Sequence, residues 1–235
     1  TTCCSAADGT ELNHGGLERT GAADPMKGRF IVLEGIDGCG KTTQLEHLVR
    51  WLPASGLMPD GAGVLRTREP GGTAFGQALR ELLLHPAADV APAPIAELLL
   101  YAADRSQHIE TLIRPALERG DWVVSDRFSG STLAYQGYGR GMNRLLIDQL
   151  EQTATGGLQP DLTLWLELSL EESLRRRRGE TADRIESEGR AFLARVGDGF
   201  AQLAQHRGWR RVDAAGAPEH VSRRLEQVLL EQWSG

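Results

Sequence analysis

The sequence predicts a doubly wound α/β domain, with a five-stranded parallel sheet flanked by helices in a single unit. Three observations lead there. Short apolar runs with β-branched content alternate with longer stretches of helical periodicity. A glycine-rich loop falls directly after the first such run and before a helical stretch. After residue 26 there is no repeat and no long low-complexity linker to divide the chain.

The elements follow in order. The run Phe30–Glu34 reads as the first strand and ends at the glycine loop. Helical periodicity over Thr42–Leu52 follows, then a strand at Val64–Thr67. Pro70-Gly71-Gly72 makes a turn, and Thr73 is placed to cap a helix over Phe75–Leu84. A long helix is expected over Pro94–Arg119, then strands and helices at Trp122–Ser125, Met142–Thr155, Leu162–Glu167, Leu170–Arg177, Gly189–Arg207, Trp209–Val212 and Pro218–Trp233. Ligands of such sheets bind at the carboxyl ends of the strands. The unusual residues follow the first three strands and the helix after the fourth, so they should converge on one edge.

Composition narrows the function. At 235 residues and 40% hydrophobic, the chain can bury one sizeable core. A net charge of −6 argues against a nucleic-acid or membrane footprint. The apolar stretch Ile95–Ala103 is too short to span a bilayer and contains Glu97. Cysteines 3, 4 and 39 form neither a disulfide framework nor a metal pattern, which points to a reducing, cytoplasmic compartment. Residues 1–25 are small or polar, without the basic start and apolar centre of a secretory signal. They read as a disordered leader or an upstream-extended start, with Met26 a natural beginning for the domain of residues 26–235.

The loop Gly35-Ile36-Asp37-Gly38-Cys39-Gly40-Lys41-Thr42 matches G-x-x-x-x-G-K-[ST] in full, with strand before and helix after. Its backbone N–H groups, with Thr43 in the following turn, would cradle ATP phosphates at the positive end of a helix. Lys41 would reach the β and γ phosphates, and Thr42 would ligate Mg²⁺. Cys39 reads as a small filler. This makes the chain a P-loop NTPase type.

Asp37 is the anomaly, because a carboxylate facing phosphates is repelled. It either points away toward a second ligand, such as a sugar hydroxyl, or faces solvent as most aspartates do. Arg127 offers a forked donor to a phosphate, and Asp126 at the strand end is placed to bind the metal's waters or to orient Arg127. Arg68 is held by the Pro-Gly-Gly turn. Tyr101 and Arg105, four apart, share one helix face suited to a base, although an aromatic at helical spacing is usually core.

Together F-I-V-L-E-G-I-D-G-C-G-K-T-T-Q, T-R-E-P-G-G-T, L-L-L-Y-A-A-D-R, D-R-F-S-G-S-T-L-A-Y-Q-G-Y-G-R-G, P-D-L-T-L-W-L-E-L and R-R-R-R-G-E-T-A-D-R-I-E resemble bacterial thymidylate kinases, from about Lys27 onward. The resemblance implies a kinase that moves the γ-phosphoryl of ATP to dTMP, giving ADP and dTDP for dTTP synthesis. It implies that Asp37 accepts from the 3′-hydroxyl and that Arg127 and Arg68 hold the 5′-phosphate. Tyr101 would stack on thymine, Arg105 would donate to a base carbonyl, and Ser131, Thr132 and Gln136 would line the pocket. Tyr135 would lie where a 2′-hydroxyl would go. The segment at about 175–187 looks like a lid. Since this glycine loop carries no arginine, the lid must supply the catalytic one, and Arg178 and Arg184 are both candidates. Two departures stand out: Phe128 replaces the usual tyrosine or histidine, and an arginine often found near Gly197 is absent. The family also implies a homodimer through helices near 75–84, 94–119 and 142–155. Rival readings are a kinase for another nucleoside monophosphate, a GTPase switch (although N-K-x-D is absent), or a catalytically dead nucleotide binder.

Overall fold

A computed structural model describes residues 28–87, 90–179 and 183–234. The expected leader and positions 180–182 of the expected lid lie outside the described residues. Five strands form one parallel sheet: β1 (Phe30–Glu34), β2 (Val64–Arg68), β3 (Trp122–Asp126), β4 (Leu162–Glu167) and β5 (Arg210–Asp213). Their spatial order is β2-β3-β1-β4-β5. The chain leaves β1 toward one side of the sheet and later returns to the other, which opens a crevice at the carboxyl end of β1.

Every residue of β1 and β3 is buried, as expected of strands covered on both faces. Alternation splits β1 between two cores. Ile31 and Leu33 join the larger cluster, while Phe30 and Val32 join Ile109, Ile113, Leu117 and Phe128 on the other face. The edge strands β2 and β5 carry arginines instead, which blunt the sheet's open edges.

Around the sheet lie α1 (Lys41–Trp51), α2 (Ala74–Leu84), α3 (Pro94–His108), α4 (Arg114–Glu118), α5 (Ser129–Thr132), α6 (Arg144–Thr155), α7 (Leu170–Arg176), α8 (Arg190–Arg207) and α9 (Pro218–Trp233). The expected helix Pro94–Arg119 is interrupted. A π-helical turn, Ile109–Ile113, joins α3 to α4. Pro115 has no N–H for the ladder and its ring crowds the preceding turn, so the helix widens before it.

The sequence predicts no element over 129–139, yet α5 continues there into a second π-helical stretch, Leu133–Gly139. Glycines at 130, 137 and 139 argue against a helix by propensity. Packing overrides that local preference. A Cβ at Gly139 would lie 2.6 Å from the Phe192 ring, and one at Gly130 would lie 2.4 Å from Trp209. Gly199 on α8 likewise gives room to Tyr138. These glycines let the segment lie directly against α8 and the β5 entry, which fixes the side chains at 131, 132, 135 and 136.

Candidate active site

Strand ends set the site. β2 ends on Arg68 and β3 on Asp126, one residue further than their apolar content suggests, and the two are register partners. The glycine loop leaves β1 beside them. Gly40 sits at φ 93°, a left-handed conformation open to glycine, and α1 begins at Lys41. Lys41 curls back into the loop. Its Nζ donates to the carbonyls of Gly35 at 3.0 Å and Ile36 at 2.9 Å. The Cys39 thiol is buried, and burial pushes it up, so it fills space rather than reacts.

Asp37 does not face open solvent. Its carboxylate accepts from Arg127 Nη2 and, at 2.7 Å, from the Tyr135 hydroxyl, and lies 3.9 Å from Lys41 Nζ. Burial alone would raise this carboxyl, but Arg127 and Lys41 hold it well below the usual carboxylate range. Arg127 also donates to Ser131 Oγ at 2.8 Å and to the Gly35 carbonyl at 3.1 Å. Its backbone is at φ 74°, the left-handed region that a long side chain rarely occupies. Such strain persists where surrounding contacts over-determine it, commonly at functional sites. Asp37 therefore orients Arg127, not Asp126, whose Oδ2 instead accepts from Thr42 Oγ1 at 3.0 Å. Beneath them Glu34 accepts from Ser131 Oγ and from the N–H groups of Phe128 and Ser131; burial raises its carboxyl.

The far end of the site is built on Arg105. Only 2% exposed, it donates from Nε to Glu69 at 2.8 Å, from Nη1 to Glu151, and from Nη2 to Thr132 Oγ1 at 3.0 Å and Phe128 O at 3.2 Å. A guanidinium has five N–H donors, so one, on Nη1, is left over. Its carbon sits 5.4 Å from the Phe128 ring centroid. The other Glu69 oxygen pairs with His108 Nδ1 at 2.9 Å, whose Nε2 meets Thr67 Oγ1. Burial raises Glu151 to about 7 against the pull of Arg105.

Between the two ends lies a cavity of about 580 Å³. Its walls include Asp37 to Thr43 of the glycine loop and α1, Arg68, Tyr101, Arg105, Asp126, Arg127, Ser131, Thr132, Tyr135 and Gln136. Gly35 and Ile36 stand behind it. The lid candidates do not line it: Arg178 is exposed, and Arg184 is bound to Glu97 and to the Leu83 carbonyl at 2.8 Å.

Sequence reasoning missed several wall residues. Arg80, nearly two turns into α2, lines the cavity and donates to Pro70 O at 3.2 Å; burial and Arg68 pull its pKa down. On a helix it reads as a solvated face. Arg176 and Arg177 also line the cavity, and a Cβ at Gly38 would lie 3.0 Å from Arg177 Cγ. The arginine run signalled them, but not which of its members turn inward.

A thymidylate kinase family model matches residues 33–225. The chain belongs to the thymidylate kinase family. A thymidylate kinase of Parasynechococcus marenigrum (strain WH8102) is 69% identical over 207 residues, 88% of this chain and 99% of its own. One from Synechococcus sp. (strain CC9605) is 69% identical over 206 residues, again 88% and 99%. Among solved structures, the crystal structure of thymidylate kinase from Ehrlichia chaffeensis superposes with a TM-score of 0.69 at 31% identity, covering 86% of this chain and 99% of that one. Like other thymidylate kinases, this chain is a nucleoside monophosphate kinase, an enzyme rather than a binding module. The family uses ATP as its phosphate donor. No helix among the described residues is long and apolar enough to cross a membrane.

Proposed function

We propose that the residues around this cavity carry out the family's reaction on dTMP, with the glycine loop taking ATP and the Arg105 end taking the base. The observation that carries the assignment is the continuity of one cavity from Lys41 and Thr42 to Tyr101 and Arg105. An oxygen of the dTMP 5′-phosphate attacks the γ-phosphorus, and the bond to the β–γ bridging oxygen breaks, leaving ADP. The nucleophile is already anionic, so the protein supplies alignment and positive charge rather than a strong base.

Lys41 leaves its two carbonyl partners to meet the β and γ phosphates. Arg127, with Arg68 and Arg80 beside it, holds the 5′-phosphate. Asp37 accepts from the 3′-hydroxyl, and Tyr135, fixed against Asp37, crowds the 2′ position. Tyr101 stacks on thymine, the spare Nη1–H of Arg105 meets a carbonyl, and Ser131, Thr132 and Gln136 complete the wall. The donor set fits Mg²⁺. Thr42 and Asp126 are joined at 3.0 Å, and the other Asp126 oxygen is buried with no hydrogen-bond partner. Bound Mg²⁺ would neutralise charge on the transferred phosphoryl group. Arg178 is favoured over Arg184 as the lid arginine, because Arg184 is already committed to Glu97 and Leu83.

Homodimerisation through α2, α3 and α6 is supported by exposed Phe75, Leu82, Ile95, Leu99, Leu145 and Leu146 on those helices. A cytoplasmic location accords with the reduced Cys39.

The test is dTMP-dependent ADP formation by the purified chain against a panel of other monophosphates; equal rates on several would break the assignment. Lys41→Ala should lower kcat by at least ~10³-fold with Tm little changed. Near-normal turnover would remove the glycine loop from the chemistry.

A further inference from the structure

Glu97 stands on α3 one turn before Tyr101 and two before Arg105, so all three share one helix face. Its side chain is fully buried and does not line the cavity. One oxygen accepts from Gln136 Nε2 at 2.8 Å and from Arg140 Nε at 2.8 Å. The other accepts from Arg140 Nη2 at 2.9 Å and from Arg184. Burial pushes the carboxyl up, but the hydrogen bonds from Arg140, Gln136 and Arg184 outweigh it and hold the acid below its usual range. Glu97 is thus an ionised group that can only accept.

The arginines would donate wherever they turned. Gln136 would not, because its amide has a donor end and an acceptor end of nearly the same shape. An acceptor-only neighbour takes the NH₂ end. The carbonyl Oε1 is then the end left for the cavity that Gln136 lines.

We propose that Glu97 is a specificity-determining positioning residue: it fixes which end of the Gln136 amide meets the base, and so selects a pyrimidine that offers a ring N–H there. This rests on the reading of the Arg105 end as the base pocket. Thymine presents such a donor at N3, beside the carbonyl that the spare Arg105 N–H would take. Cytosine presents a bare N3, so two acceptors would oppose each other out of water. A site built to pair one group rejects the analogue that leaves its buried polar atoms unmatched.

The experiment is steady-state kinetics of the full chain on dTMP and dCMP, for the parent and for Glu97→Gln. An amide at 97 both donates and accepts, so Gln136 is free to turn over. The dTMP:dCMP ratio of kcat/KM should fall at least ~10-fold, mainly through the KM for dTMP, with kcat within ~3-fold. A merely structural role lowers both substrates together, and an unchanged ratio overturns the proposal. Glu97→Gln leaves one positive charge in excess, since Arg140 keeps Glu188 at 2.8 Å; should that variant fail to fold, Glu97→Gln/Arg140→Gln restores the charge count, and the same ratio decides. In a Gln136→Leu background, Glu97→Gln should leave the ratio where Gln136→Leu puts it; a further fall means that Glu97 acts by another route. A parent without dTMP-dependent turnover removes the pocket reading and this inference with it. A selective parent whose variant keeps its ratio removes this inference alone.

Discussion

Arg127 and Arg105 line one cavity, and each is clamped by carboxylate. The clamps differ in what they leave free. Arg127 pairs with Asp37, a loop residue 30% exposed, and both line the cavity. In the proposed binding mode an incoming phosphate and sugar would take over that pair, each partner exchanging one charged or polar contact for another. Arg105 pairs with Glu69 and Glu151, which are 3% and 9% exposed, and keeps one N–H for a ligand. Its partners cannot be handed over without stranding buried charge. In the proposed reaction the first arginine would change partners during turnover, and the second would hold still while a base is read against it.

The comparison can be broken at several points. Arg127→Ala should lower kcat/KM for dTMP by ~10³-fold or more, since in the proposed mechanism its donors hold the charged, attacking 5′-phosphate. Its stability cost should be modest, about 1–2 kcal/mol, because Asp37 keeps Lys41 and Tyr135 nearby. Arg105→Met should invert that balance. We expect ~10²-fold in KM, but about 3–5 kcal/mol of stability, as two buried carboxylates lose their cation. Denaturant melts alongside kinetics test this, and equal stability losses in the two variants would erase the distinction. Arg178→Ala should lower kcat ~10–10²-fold with KM for dTMP held. A change confined to KM would move the catalytic role to another arginine of the run.

The smallest effect concerns Asp104, behind the Arg105 cluster, whose Oδ1 accepts from Gly71 N at 3.1 Å. Burial, and then Glu69, raise its carboxyl from 3.8 to about 6. The folded chain therefore keeps a proton that the unfolded chain releases near pH 4. This group's contribution is fully present below pH 3.8 and is lost as pH rises through about 6. Asp104→Asn should flatten the fall in Tm between pH 4 and 7 while leaving kcat within ~2-fold at neutral pH. An unchanged slope would mean that Asp104 titrates normally.

The two ends were unequally legible in the sequence. Gly35–Thr42 and Asp126-Arg127 are local motifs, each following its own strand, and the parallel-sheet rule brings such loops to one edge. Arg105 was legible as a face-sharing partner of Tyr101, but its clamp was not. Glu69, Thr132 and Glu151 lie 36, 27 and 46 residues away, on a turn and two helices. The helix over 129–139 was hidden for a related reason. Its glycines weaken it locally and act only through their fit against Phe192 and Trp209.

The sequence by itself determined the strand order along the chain, the phosphate loop and the family, because apolar periodicity and short motifs act over a few residues. Only the tertiary structure decided that Asp37 orients Arg127, that Arg184 is held by Glu97, and that Gln136 donates to Glu97. A buried charge or amide takes its state from whichever groups share its enclosure. Those groups are gathered by packing from distant segments, so their identity is not written at the residue they control.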